Sequence, residues 1–174
     1  MVRTREKIIQ LLADYPGREF YGQEIAKKVK CSKSSTSGIL KSLTAKGIVS
    51  KKVKGHMKFY QINFKSPEVK RLRIDLVLEK LNPLLPKLRK ISQKIILFGS
   101  ASRGEQTFDS DIDLLILTNS KLDVQAALKK TSSKMKIKAM IKTPGEWSEM
   151  EIKEPEFYQE VKSGMILHNY VSRI

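Results

Sequence analysis

ILFGSASRGEQTFDSDIDLLIL, residues 96–117, holds a Gly99-Ser100 turn and, eleven residues after the serine, an Asp111-x-Asp113 pair. Residues 95–98 and 112–117 are short apolar runs whose length and β-branching favour strand over buried helix. A polar loop joins them. Successive side chains of a strand point to opposite faces, so Asp111 and Asp113 project together from one face while Ile112 and Leu114 pack on the other. Like charges so placed repel and raise each other's pKa, and they stay ionised only beside a cation, a cluster of donors or open solvent. Magnesium meets that need, since it prefers oxygen ligands and takes one or two carboxylates together with the phosphates of a nucleoside triphosphate. Gly99 lets the backbone turn tightly towards a phosphate, and Ser100 adds a hydroxyl and a backbone N–H. Residues 101–104 are expected to start a helix whose N-terminus favours an anion.

An isolated Asp-x-Asp is more often a solvated surface pair than a metal site. The spacing shifts that balance. Phe98-Gly99-Ser100, Arg103-Gly104 and Ser110-Asp111-Ile112-Asp113-Leu114 resemble the nucleotidyltransferase superfamily related to DNA polymerase β, especially its small prokaryotic members, the minimal nucleotidyltransferases. The resemblance implies metal-dependent transfer of a nucleoside monophosphate from a nucleoside triphosphate to a hydroxyl, with pyrophosphate leaving and Mg2+ or Mn2+ as cofactor. Asp111 and Asp113 would then be the catalytic, metal-holding residues. Gly99 and Ser100 would contact the triphosphate, and Arg103 would lie near its phosphates or make a structural salt bridge. Two metals would clamp the attacking and leaving oxygens of an in-line displacement, and positioning with charge neutralisation would supply most of the catalysis.

The family pattern includes a third carboxylate on a neighbouring strand. The natural strand here, residues 135–142 (MKIKAMIK), has no acid. Lys138 or Ala139 falls where an aspartate is sought, and a lysine there repels a metal. Asp109, Glu105, Glu146 and Glu149 are the acids that could substitute, each equally readable as a surface charge.

The amino-terminal part carries a second signal. Residues 1–65 hold 15 Lys and Arg against 4 Asp and Glu, a net of +11 within a chain total of +16, and no carboxylate stands between Glu24 and Glu68. Such asymmetry points to a polyanion partner, with a solvated basic face as the alternative. Ile8, Ile9, Leu11 and Leu12 give a first helix its apolar side, stopped at Tyr15-Pro16-Gly17. Phe20 and Tyr21 lead into a second helix with Ile25, Ala26 and Val29 inward. A third opens on Ser32-Lys33-Ser34-Ser35-Thr36-Ser37, which offers a capping hydroxyl, has Ile39, Leu40 and Leu43 as its inner stripe, and closes at Lys46-Gly47. Residues 48–52 and 58–63 can pair as a hairpin about Gly55.

Three helices and a hairpin resemble the winged helix-turn-helix domain of prokaryotic transcription regulators over residues 4–64. The resemblance implies duplex DNA as partner, with Lys33, Ser34, Ser35, Thr36 and Lys41 of the third helix at the major groove. Lys51, Lys52, Lys54 and Lys58 of the wing would meet phosphate, a contact that fixes position without reading sequence. Protein-interaction use of such a module is the alternative.

The expected organisation is α+β in two domains: a winged helix over residues 1–65, a helical connector over 66–92, and a small mixed-sheet nucleotidyltransferase fold over 93–174. The connector's Val69, Leu72, Ile74, Leu76, Val77, Leu78 and Leu81 exceed what one helix face needs. Packing between domains or a homodimer contact would use the surplus. Residues 122–130 are read as a helix, 137–141 as a third strand and 157–170 as a terminal helix. Cys31, the lone cysteine, and Met57, Met135, Met140, Met150 and Met165 read as packing residues, and Trp147 as an anchor at a helix start. No run is long enough to span a bilayer and no secretory leader is evident, so a soluble cytoplasmic protein is expected. Two functions compete: a nucleotidyltransferase carried by a nucleic-acid-binding winged helix, and a DNA-binding regulator whose transferase-like domain is a catalytically impaired nucleotide sensor or assembly module.

Overall fold

The computed structural model describes residues 4–15, 17–106, 110–130 and 136–170, and the chain divides into two compact units, Met1–Arg73 and Ile74–Ile174. The first contains α1 (Thr4–Asp14), β1 (Phe20–Tyr21), α2 (Gly22–Val29), α3 (Lys33–Ala45), β2 (Val49–Lys54) and β3 (Met57–Ile62). Helical spacing puts Ile8, Ile9 and Leu12 of α1, Ile25 of α2, and Leu40 and Leu43 of α3 into one buried core with Phe20, Ile48 and Tyr60. The α3 helix starts where the Ser32 hydroxyl accepts the Ser35 N–H at 3.2 Å, satisfying one of the donors that a helix start leaves unpaired.

The strands are antiparallel in the order β1-β3-β2. Two residues join Lys54 to Met57, and Gly55, first of the two, has φ +58, as a turn that follows the strands' own twist requires. Phe20 and Tyr21, expected only to lead into a helix, pair with Tyr60 and Phe59. Met57 is not a core filler as expected. It stands beside the hairpin turn, 47% exposed.

α4 (Pro67–Leu81) is apolar on more than one side because it serves two cores along its length. Val69 and Leu72 pack into the first, whereas Val77, Leu78 and Leu81 pack into that of the second unit. The second unit continues through α5 (Leu85–Ile91), β4 (Lys94–Phe98), α6 (Gly99–Ser102), β5 (Ile112–Leu117), α7 (Lys121–Lys129), β6 (Ile137–Lys142), α8 (Pro144–Lys153), α9 (Pro155–Lys162) and β7 (Met165–Asn169). Its strands lie in the order β6-β5-β4-β7, with β4 antiparallel to both neighbours and β5 parallel to β6.

Both faces of this mixed sheet are covered, which is why β4 and β5 read as continuous apolar runs. Ile95, Leu97, Ile112, Leu114 and Ile116 share a core with Leu88 of α5 and Val124 of α7. Ile96, Phe98, Leu115 and Leu117 pack on the other side with Trp147 and Met150 of α8 and Tyr158 and Val161 of α9. Trp147 stacks on Tyr158 with centroids 4.4 Å apart. A reciprocal cap between Thr143 and Glu146 starts α8.

The terminal helix expected over residues 157–170 is corrected. α9 stops at Lys162 and Met165–Asn169 forms β7 against β4. Val161 and Met165 stand four apart, as in a helix, but Met165 and Leu167 are the inward residues of a strand. Between them lies Gly164, where a Cβ would sit 2.5 Å from the Leu97 carbonyl oxygen. The helix expected over residues 101–104 instead begins at Gly99 and lasts one turn. Among the described residues no helix is long and apolar enough to cross a membrane.

Candidate functional site

At one end of the second sheet β4 runs out into Gly99, whose φ of +67 is a conformation that L side chains rarely adopt. A Cβ on Gly99 would lie 2.7 Å from Oδ2 of Asp113. The glycine is thus required twice, once for its backbone and once for the space that the carboxylate fills. Asp113 pairs with Phe98 across the antiparallel ladder and with Lys138 across the parallel one. It therefore shares the α8 and α9 face with Leu115 and Leu117, while Ile112 and Leu114 turn to the opposite core. Asp111, two residues earlier, is exposed just before β5 and has the same parity.

Burial is the first cause that raises the Asp113 pKa above the ordinary carboxylate value; Lys138 pulls it down, and Asp111 and Glu160 push it up. Glu160 was not legible in the sequence as a neighbour of this site. It belongs to α9, which packs on the Asp113 face of the sheet. Lys138, rather than Ala139, is the β6 residue on that face, since Ala139 packs with the core on the other.

Ser100 is half-buried in α6, and its carbonyl accepts the N–H groups of Arg103 and Glu105. Arg103 makes salt bridges: its Nε lies 3.2 Å from Glu105 and its Nη1 3.7 Å from Glu160. Two of the other candidate acids are engaged elsewhere. Glu146 binds Lys121 at 2.6 Å and caps α8, which holds its carboxyl down to about 2. Glu149 binds Lys153 at 2.7 Å, and Asp109 lies outside the described residues.

In the first unit Lys33, Ser34, Ser35 and Lys41 are exposed on α3, as are Lys51 and Lys58 on the hairpin. Thr36 is corrected: it is 1% exposed and faces the core, one helical position past the polar side. Lys52 and Lys54 both bind Glu19, at 2.8 and 2.5 Å, and their hydrogen bonds hold the Glu19 carboxyl below the usual range. A groove of about 280 Å³ between α3 and the hairpin is lined by Tyr21, Gln23, Lys33, Ser37, His56 and Lys58, among others. No acid lines it.

A left-handed glycine pressed on a strand aspartate, with a second aspartate two residues before it, lies within a segment that matches a nucleotidyltransferase domain. Residues 74–168 match the nucleotidyltransferase domain family, and the chain belongs to it. A candidate nucleotidyltransferase from Sulfolobus solfataricus is similar at 17% identity, covering 61% of this chain and 92% of that one, with a TM-score of 0.37. Reduced HlyU from Vibrio cholerae is similar at 25% identity over 48% of this chain and 77% of that one, with a TM-score of 0.35. A protein of Archaeoglobus fulgidus is similar at 19% identity over 47% and 87%, with a TM-score of 0.36. No curated protein matches.

Nucleotidyltransferase domains usually use divalent metals, so the donor set can be tested against that need. Among the described residues no group of three His, Cys, Asp or Glu side chains is placed to hold a metal ion. Asp111 and Asp113 suit one magnesium ion that draws its remaining oxygen ligands from phosphate and water. They do not suit two, because the next position across the sheet is the Lys138 ammonium.

Proposed function

We propose that this chain binds a nucleoside triphosphate at Gly99, Ser100, Asp111 and Asp113 and transfers its nucleoside monophosphate to a hydroxyl acceptor, releasing pyrophosphate. The observation that carries the reading is the seating of Asp113 directly against the left-handed Gly99, which brings carboxylate and phosphate-approaching backbone to one point. Asp111 and Asp113 would hold magnesium, or manganese in its place, which when bound neutralises charge on the phosphates. The open backbone at Gly99 lets the phosphates come close. Burial of Asp113 limits water around its carboxylate and strengthens whatever electrostatic contact it makes.

The test is incubation of the full chain with labelled nucleoside triphosphate, Mg2+ or Mn2+, and hydroxyl-bearing acceptors. Metal-dependent label transfer and pyrophosphate release are expected, and Asp111→Ala with Asp113→Ala should lower them by at least about 100-fold, the scale of losing charge stabilisation at the reacting phosphate. Equal signals from wild type and double variant would overturn the enzyme.

A second reading has its own observation in Lys138, which faces Asp113 where the family pattern has a carboxylate. In this reading the first unit is a winged helix-turn-helix that binds duplex DNA as a regulator, and the second senses a nucleotide. Both readings place the DNA on α3 and the hairpin, supported by the net +11 of residues 1–65 and the exposed Lys33, Ser34, Ser35, Lys41, Lys51 and Lys58. Glu19 limits that surface by engaging Lys52 and Lys54. Glu19→Ala is therefore expected to tighten duplex DNA binding at low salt and to steepen its salt dependence by about one unit of slope per lysine freed. Titrations over a range of salt check this, and an unchanged slope would remove the hairpin from the interface.

A further inference from the structure

We propose that Lys138 is a phosphate-binding residue of the nucleotide site, a fixed cation that does part of the work otherwise left to metal ions. The inference rests on the nucleotide reading of the site above. Lys138 is the direct cross-strand partner of Asp113 in the parallel ladder, on the same sheet face and at the same end as Gly99. Its charge is felt at Asp113. Lys121 and Lys153 are each held by a glutamate, whereas Lys138 is exposed and has no such partner among the described residues. Arg103, another cation at this end, is engaged by Glu105 and Glu160.

Charge accounting at the site makes the assignment specific. Asp111 and Glu160 both press negative charge on Asp113, and a triphosphate would add further negative charge. One divalent ion on the two aspartates cannot balance this total, and among the described residues no group of three acidic side chains is placed to hold a second. An ammonium on a long flexible stem, as a point donor with three N–H groups, can reach a phosphate oxygen beside Asp113 without a fixed geometry. A hydrogen bond between charged partners contributes about 1.5–3 kcal/mol, which corresponds to roughly 10- to 150-fold in affinity.

The experiment measures ATP binding to the full chain by calorimetry, once with Mg2+ and once with EDTA, and counts bound Mn2+ per ATP by electron paramagnetic resonance. Wild type is expected to bind ATP in EDTA within about tenfold of its affinity in Mg2+, with one Mn2+ in the manganese complex. Lys138→Met should weaken binding in EDTA by at least about tenfold, Lys138→Arg should restore most of it, and Lys138→Asp should admit a second Mn2+. Lys138 is exposed, and circular dichroism verifies that the variants keep their fold. Tight binding in Mg2+ with none in EDTA, or EDTA binding that Lys138→Met leaves unchanged, overturns the Lys138 assignment alone. Two Mn2+ per ATP in wild type also overturns it. Failure of ATP to bind under either condition overturns the nucleotide reading and the assignment together.

Discussion

Gly164→Ala is expected to lower the melting temperature of the Ile74–Ile174 unit by about 10 °C or more, the scale of a 2–3 kcal/mol loss in a unit of this size. The added methyl would stand 2.5 Å from the Leu97 carbonyl oxygen, 2.8 Å from Cγ2 of Ile96 and 3.0 Å from the Val161 carbonyl oxygen. Two of these neighbours are backbone, one in the sheet and one in α9, so no side-chain rotamer relieves the overlap. Either β7 separates from β4 or α9 lifts from the sheet, and both movements disturb the end where Asp113 lies. Gly145→Ala is the internal control. That glycine is exposed in the first turn of α8, and its added methyl meets nothing nearer than the Thr143 hydroxyl at 4.0 Å. Thermal unfolding of the full chain followed by circular dichroism compares the two. A Gly164→Ala protein melting within about 2 °C of wild type would mean that the α9–β7 corner yields freely.

The second large effect is expected at Gly99. Gly99→Ala forces an L side chain into the left-handed region at φ +67, costing about 1–2 kcal/mol. It also drives the Asp113 carboxylate away from its seat, because the new Cβ would meet Oδ2 at 2.7 Å. ATP affinity is expected to fall by at least about tenfold, since both the backbone approach and the carboxylate position are lost. The two causes separate in a cycle with Asp113→Ala. Once the carboxylate is removed, the steric part of the Gly99→Ala penalty should vanish while the backbone part remains. Chemical denaturation gives the stabilities, and strict additivity of the two substitutions would show that the 2.7 Å approach has no energetic consequence.

The fold was legible wherever a single local rule governs a segment. The β-branched runs of β4 and β5, the three helix periods of the first unit, a hydroxyl cap within residues 32–37, supplied by Ser32, and Gly55 as a hairpin turn follow from nearest-neighbour chemistry, and each stands where that chemistry puts it. Residues 157–170 failed because two periods overlap there. Val161 and Met165 satisfy a helix, Met165 and Leu167 satisfy a strand, and the contact that decides between them is Gly164 against Leu97, far apart in the chain.

The candidate site divides along the same line. Gly99, Asp111 and Asp113 come from one short stretch, so their spacing could be read directly. Whether Lys138 or Ala139 faces the aspartates depends on the β5–β6 register, which no local pattern fixes. Glu160 enters through the packing of α9 on the sheet, and Thr36 left the polar side of α3 because its place on the helix circumference turns it inward.

The strand order β6-β5-β4-β7 leaves two outer strands, and they are guarded unequally. β6 carries Lys138 and Lys142, whose charges discourage a foreign strand from adding to that side. β7, Met165–Asn169, has neither lysine nor proline, and Ile166 on it is 54% exposed. Among the described residues of this sheet, the self-association hazard of a chain that loosens on warming therefore lies more at the strand next to Gly164 than at β6.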